Sequence, residues 1–197
     1  MNIIIHKEKE KDYYEVEKMT REAFYSEKDY LEKGFGCSEH FMVHQLRKKD
    51  GILDLSFVAK QNNQIVGHII YSKAMVKTNT NKFIKVLSFG PLTVKKKFQN
   101  KGIGTQLMKF SISEAKKGGY GAILFYGHPN YYPRFGFVPA DKYNITTKDN
   151  KNFSAFMAME LIPGYLSNIS GKFIESDIYN EMAYQKAIIK FDKLFTK

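Results

Sequence analysis

Cysteine is nearly absent from this chain of 197 residues. Its one copy, Cys37, cannot form an intrachain disulfide or build a thiolate metal cluster. The five histidines are read as forming neither a His-x-x-x-His nor a His-Glu-x-x-His pair, and so as holding no metal. No apolar run approaches the roughly 18 residues that span a bilayer. The opening Met1-Asn2-Ile3-Ile4-Ile5-His6-Lys7 has a short apolar patch, without the length of a signal-peptide core or a small-residue cleavage site. A cytoplasmic protein with no membrane partner is therefore expected. Internal repeats, low-complexity tracts and long linkers are lacking too, which leaves one domain able to bury a sizeable core.

Arginine is the other scarcity. The formal charge is +11, yet three arginines stand beside 28 lysines, and the lysines are spread along the whole length. A basic surface attracts phosphate backbones. The bidentate contacts that nucleic-acid readers favour come from arginine, however. The charge is read as compositional bias, and nucleic acid is not expected as the main partner. Hydrophobic residues at 43% and aromatics at 15% are what a globular core requires.

Residues 3–5 read as a short strand. Between about 12 and 25, Val16, Met19, Ala23 and Phe24 recur at helical spacing. A second helix is predicted from Ser38, its N-cap, through Leu46. Residues 53–60 and 65–76 flank the turn Gln61-Asn62-Asn63-Gln64, which predicts a hairpin. A third strand runs over 83–94 and is interrupted by Gly90-Pro91, the mark of a bulge or an edge. The next helix, from Gly102 to about Lys117, places Ile103, Leu107, Phe110 and Ala115 on one face and stops at Gly118-Gly119. Residues 121–126 form a short apolar strand. A meander, a bulged strand, a helix and a parallel return imply an α/β (α+β) architecture with a mixed sheet. The tail, 176–197, reads as a terminal helix that could pack on the domain or on a second subunit as a homodimer.

The segment Gln99-Asn100-Lys101-Gly102-Ile103-Gly104 joins strand to helix. The first turn of a helix carries unpaired N–H groups and a partial positive charge. Gly102 and Gly104 remove side chains, so a pyrophosphate can approach those amides. Lys101 and the run Lys95-Lys96-Lys97 add positive charge. The loop lacks the Gly-Lys-Ser/Thr ending of a Walker loop, and it has too few glycines for a dinucleotide fingerprint.

These residues resemble the GNAT N-acetyltransferase signature Gln/Arg-x-x-Gly-x-Gly/Ala, preceded here by the strand Leu92-Thr93-Val94. Two further segments are similar to the family in the same order. Upstream, Leu55-Ser56-Phe57-Val58-Ala59 and Gln64-Ile65-Val66-Gly67-His68 resemble its hairpin. Downstream, His128-Pro129-Asn130-Tyr131-Tyr132-Pro133-Arg134-Phe135-Gly136-Phe137 resembles its second motif, with Tyr four residues before Gly-Phe. The likeness runs over about residues 23–171. It is closer still to a bacterial subgroup of predicted acetyltransferases with Gly-Asp-Pro-x-Tyr-Tyr-x-Arg-Phe-Gly-Phe and a tail like Met159-Glu160-Leu161-Ile162-Pro163-Gly164. His128 departs from that pattern, standing where Asp is usual.

The resemblance implies the GNAT fold: a central mixed, mostly antiparallel sheet, splayed at a bulged fourth strand and flanked by helices. It would occupy residues 1–171, with 172–197 as a C-terminal helical extension packed on the same domain. It implies an acyltransferase that moves acetyl from acetyl-CoA to an amine acceptor by direct attack in a ternary complex. Pantetheine would bond the backbone of Leu92, Thr93 and Val94, and pyrophosphate the amides of Gln99, Asn100, Lys101, Gly102, Ile103, Gly104 and Thr105. Asn130, Tyr131 and Phe135 would line the cofactor. The Leu92 amide would be the oxyanion donor. Tyr132 would be the general acid, a role that suits a phenol of ordinary pKa about 10.

The base stays open. Many relatives use a carboxylate on the fourth strand, where Val86-Leu87-Ser88-Phe89 offers none. His128 is one candidate, with a surface role as its bland alternative. Glu22, Glu27, His40 and His44 lie in the first helical region, and no motif stands behind them. Two other readings remain at this level: a non-catalytic CoA-binding or regulatory protein, and an acyltransferase associated with nucleic acid or aminoacyl-tRNA.

Overall fold

The structure, a computed structural model, describes residues 2–196. In chain order the elements are β1 (Ile4–Lys7), α1 (Tyr13–Phe24), α2 (Glu27–Lys33), α3 (Glu39–Lys48), β2 (Gly51–Gln61), β3 (Gln64–Thr78) and β4 (Phe83–Val94). They continue as α4 (Ile103–Lys117), β5 (Ala122–Tyr126), β6 (Val138–Pro139), β7 (Ile145–Thr146), β8 (Phe156–Glu160), β9 (Gly171–Ile174) and α5 (Gln185–Asp192). The strands form one mixed sheet in the order β1-β2-β3-β4-β5-β8-β6, with β9 pairing β3 and β7. By internal packing the chain divides into two compact units. β3, β4 and α4 contribute to both.

The first unit holds Met1–Ile70, Gly90–Leu107 and Asp177–Lys197. Its core is the apolar stripe of two helices laid on strands: Val16 and Met19 of α1 and Val43 and Leu46 of α3 pack with Val58, Ile65 and Ile70. Burial of such side chains stabilises by about 1.5–3 kcal/mol each. The α2 helix escapes sequence patterning because none of its residues is buried. It is defined by its ends instead: the Ser26 hydroxyl accepts from the Asp29 amide at 3.2 Å, and Gly34 closes it at φ +80°.

Beneath these helices lies a buried ion network. The Arg47 guanidinium donates to both carboxylate oxygens of Glu8 and, at 2.6 Å, to Glu17. Ser56 donates to Glu8 at 2.7 Å, and the His68 Nε2 stands 3.3 Å away. Burial alone would raise the Glu8 pKa, but His68 and Arg47 more than offset it and hold the carboxyl at about 2.

The tail differs from the single helix its sequence suggests. It is broken into 3-10 turns at Asp177–Tyr179 and Glu181–Tyr184, then α5, then a last turn at Lys193–Phe195. Asn180 takes a non-helical conformation (φ −85°, ψ 83°) that interrupts it. Met182 and Leu194 are exposed, while Ile188 and Phe191 pack with Phe35 and Phe41. Arg21 of α1 reaches Asp192 of α5 through two hydrogen bonds of 2.6 and 3.1 Å. Glu181 is bound by Lys33 and Ser38, each at 2.9 Å.

The second unit holds Tyr71–Phe89 and Met108–Ser176. Here β5 pairs β8 antiparallel over five residues, from Ala122↔Glu160 to Tyr126↔Phe156. The register between β4 and β5 is parallel and consists of one pair, Leu87↔Ile123, although β5 runs on to Tyr126. β9 adds to β3 antiparallel, from Met75↔Ile174 to Thr78↔Gly171. One face carries a core of Val76, Val86, Leu124, Ala158 and Phe173. In the tail motif after β8, the Glu160 carboxylate accepts from the amides of Gly164 and Leu166 at 3.1 and 2.7 Å, which closes the turn.

Candidate active site

Two groups of candidate residues are built, one in each unit. In the first, β4 leads through a 3-10 turn (Lys96–Phe98) and a loop into α4. The loop needs left-handed backbone at Asn100 (φ 58°) and Gly102 (φ 80°), conformations that asparagine and glycine tolerate best. The first backbone bond of α4 runs from the Gln106 amide to the Gly102 carbonyl at 3.0 Å. The amides of Ile103, Gly104 and Thr105 precede it and are the orphan donors of the helix start. A Cβ at Gly102 would meet nothing within 4 Å.

The loop is braced from within. The Gln99 amide nitrogen donates to the Val94 carbonyl at 3.0 Å, and Lys101 Nζ donates to the Lys97 carbonyl at 3.0 Å. Lys97 and Lys101 lie 5.1 and 5.5 Å from the Phe98 ring centre, so two cations are gathered beside the helix start. Gly67 of β3 sets the depth of α4. A Cβ there would stand 2.8 Å from Leu107, 3.2 Å from Ile103 and 3.2 Å from the Thr93 carbonyl.

On β4 the Lys95 amide donates to Val66 of β3 at 2.9 Å. Backbone groups alternate sides along a strand, so Thr93 faces β3 and the amides of Leu92 and Val94 face away from it. The Thr93 side chain is committed to packing, since it is fully buried and its hydroxyl lies 3.1 Å from that of Thr20.

In the second unit Tyr132 opens a 3-10 turn, Tyr132–Phe135, that Gly136 closes at φ 98°. Pro133 occupies the start of this turn, and the cap residue is Tyr131. The Tyr132 ring sits edge-on to Phe125 at 4.6 Å and packs with Phe89 at 5.8 Å and Phe137 at 6.0 Å. Burial pushes its phenol well above the ordinary tyrosine range, so the proton is held. Gly127 makes room, because a Cβ there would collide with the rings of Phe125 and Tyr132. Tyr131 meets Tyr132 edge-on at 5.0 Å and Phe135 at 5.5 Å, and the Arg134 guanidinium covers it at 4.7 Å.

His128 is exposed, and its Nδ1 accepts from the Asn130 amide at 3.3 Å. An aspartate oxygen at this position could make the same bond, which explains the exchange of residue types. Of the other candidates, Glu22 is exposed, and Glu27 accepts from the Tyr25 hydroxyl at 3.2 Å. His40 and His44 do stand four apart on α3, so a His-x-x-x-His pair is present where the sequence reading saw none. They face different carboxylates: His44 Nδ1 lies 2.9 Å from Glu17, and the buried His40 has Nε2 3.2 Å from Asp192 without a hydrogen bond to it. Cys37 is buried, and burial and the adjacent Glu39 push its thiol far above the usual range.

One residue that no motif marks follows β9. The Ser88 hydroxyl favours the ionised form of the Glu175 carboxyl, one position past that strand. Burial raises it to about 7, against the opposing pull of Lys148 and of Ser88 itself. No local pattern could have revealed this, because the pairing of β9 with β3 and β7 brings that segment into the sheet.

Residues 53–139 match the acetyltransferase (GNAT) domain family. The uncharacterized N-acetyltransferase YhbS of Escherichia coli is 29% identical over 135 residues, 68% of this chain and 78% of that protein. The crystal structure of E. coli YhbS, described as a GNAT family N-acetyltransferase in complex with CoA, superposes with a TM-score of 0.78 at 24% identity, covering 91% of this chain and 93% of that one. A GNAT family acetyltransferase from Brucella melitensis in complex with acetyl-CoA gives 0.67 at 23% identity, covering 90% and 98%. With the glycine loop, the sheet order and the Tyr132 turn in place, residues 53–139 are similar to the GNAT acetyltransferase domain, and the chain has the fold of that superfamily.

Proposed function

We propose that the protein transfers an acetyl group from acetyl-CoA to an amine by direct attack. The observation that carries this reading is the start of α4. Three amides there precede the first helical bond, a Cβ at Gly102 would meet nothing within 4 Å, and Lys97 and Lys101 stack on the neighbouring Phe98. That arrangement suits a pyrophosphate, and Gln99 through Thr105 would hold it. The CoA-bound structures of E. coli YhbS and of the B. melitensis relative support the same ligand.

Acetyl-CoA supplies an activated acetyl thioester. The chain's own part is to orient and polarise it. Leu92 and Val94 would bond its amide arm through backbone groups turned away from β3, and the Leu92 amide would stabilise charge developing on the carbonyl oxygen. Tyr132 would give its proton to the departing sulfur, and a phenol held protonated by burial is suited to that step. Asn130, Tyr131 and Phe135 would border the same ligand. The exposed His128 is tied to the Asn130 amide, so we assign it to shaping the turn rather than to proton abstraction.

The test is calorimetric titration with acetyl-CoA, followed by a screen of amines that reads released thiol. Binding in the micromolar range, competed by CoA, is expected. Failure to bind at millimolar concentration overturns the proposal.

A further inference from the structure

Lysines that lie far apart in the sequence are gathered by the sheet of the second unit. There β7, β9, β3 and β4 lie side by side, since β9 pairs both β7 and β3, and β3 neighbours β4. One face of these strands is taken up by the core, where Ile145, Phe173, Ala74, Val76 and Val86 pack together. A strand sends successive side chains to opposite faces. The alternate residues of β9, β3 and β4 therefore point outward together. Four of them are lysines: Lys73, Lys77 and Lys85 are exposed, and Lys172 is half-buried. The other three are apolar, Phe83 at 57% exposed, Met75 at 39% and Ile174 at 36%. The register sets Lys77 directly opposite Lys172, and Thr146 of β7 stands on the other side of Lys172, so neither cross-strand neighbour is a carboxylate. Like charges directly opposite each other destabilise a sheet, and an anion bound between them would relieve that repulsion.

We infer that this outward face of β9, β3 and β4 binds single-stranded RNA through its phosphates, as a function separate from acetyl transfer. The formal charge of +11 draws a polyanion to the chain. The groove of a duplex admits a helix or a two-stranded ribbon, and a sheet face of three strands is too broad to enter it. A single strand can lie across such a face, with its bases unstacked and open to an aromatic ring. Phe83, the most exposed of the three apolar residues, is the ring that the face offers.

The residue types set the kind of binding. Lysine meets phosphate as a point charge and lacks the planar fork with which arginine reads a base. All four cations of the face are lysines, so they fix a phosphate backbone in place without selecting a sequence. The shortage of arginine that counts against sequence readout is thus compatible with this mode. An anionic membrane fits the face less well. Interfacial binding grows with the apolar area inserted, and Met75 and Ile174 show little more than a third of their surface, between lysines.

The test is fluorescence anisotropy of the full chain with a labelled single-stranded RNA of mixed sequence, about 12 nucleotides long, over roughly 50–200 mM salt. Binding should weaken with salt along a log–log slope of about −2 to −3, on the scale of −0.7 for each phosphate neutralised. The double variant Lys77→Glu, Lys85→Glu should bind at least tenfold more weakly, with a slope shallower by about 1.4. It turns the opposed lysine pair into a pair of opposite charges, so it should fold at least as well as the wild type. Phe83→Ala should lose at least about fivefold in affinity, the low end of one base stacked on an aromatic ring. Lys186→Glu, Lys190→Glu makes the same change of charge at exposed positions of α5 and should bind RNA within about twofold of the wild type. Four results each overturn the assignment: no binding at 50 mM salt, equal weakening by the α5 variant, tighter binding of single-stranded DNA of the same sequence, or phosphatidylserine vesicles bound through these lysines while RNA is not. None of these residues belongs to the acetyl-CoA loop, so the acetyltransferase reading stands or falls separately.

Discussion

Tyr132 shows how one side chain can be legible in sequence while its chemistry is not. Its place four residues before Gly136-Phe137 marked it. What holds its proton is a cage of Phe89, Phe125 and Phe137, drawn from two strands and a turn. Tyr132→Phe keeps the ring and removes the proton. We expect kcat to fall at least tenfold, on the scale of general-acid catalysis, with the acetyl-CoA Kd unchanged by calorimetry. Equal turnover by the variant would remove the general-acid role. His128 is the reverse case. It stood out by its residue type, and the structure ties it to a turn amide. Glu175 had neither motif nor neighbouring context, since the strand before it pairs with one far upstream.

Between elements, the contacts that matter are small residues and charge pairs. Gly67 lets α4 lie against β3 and the end of β4, and Val66-Gly67 was readable as a family-like pair. Its physical purpose needed the position of Leu107. Gly67→Ala should cost about 1–3 kcal/mol by overpacking and weaken acetyl-CoA binding, because the start of α4 must shift. Urea unfolding and calorimetry on the same variant check both. Wild-type affinity would separate Gly67 from the loop.

The tail makes a different connection. Arg21 and Asp192, with side chains 17% and 9% exposed, join α1 to α5. Asp192→Asn leaves a guanidinium short of its counter-charge and should cost about 3 kcal/mol of stability, with no effect on acetyl-CoA affinity. A loss below 0.5 kcal/mol in denaturant titrations would show that α5 is held by Ile188 and Phe191 alone. The long strands and the amphipathic α1, α3 and α4 were readable from periodicity, because each buries one face. The α2 helix buries nothing, and β9 is four residues whose partner strand lies nearly a hundred positions upstream, so neither left a periodic signal.

For the molecule as a whole, two displaced groups oppose each other in the response to acid. His40 is pushed down from 6.5 to about 4, by burial first and then by Arg21 and His44, against the pull of Asp192. Between those values the unfolded chain binds a proton that the folded chain does not, so stability falls as pH falls, by about 1.4 kcal/mol per unit. Glu175 is pushed up from 4.5 to about 7. In that window the folded chain holds the extra proton, so stability rises as pH falls, with the same slope. Between about pH 6.5 and 4.5 the two contributions cancel. Below 4.5 the lowered Glu8 carboxyl, near 2, adds its own loss, and the fold should weaken steadily. Urea unfolding from pH 7 to 3 should therefore show a plateau followed by a decline. Glu175→Gln removes one side of the balance. Its stability should drop by about 1.4 kcal/mol per unit already between pH 6.5 and 4.5, where the wild type stays level. The same flat plateau in the variant would mean that the Glu175 carboxyl titrates alike in folded and unfolded chains. That result would contradict the raised pKa that burial gives this carboxyl.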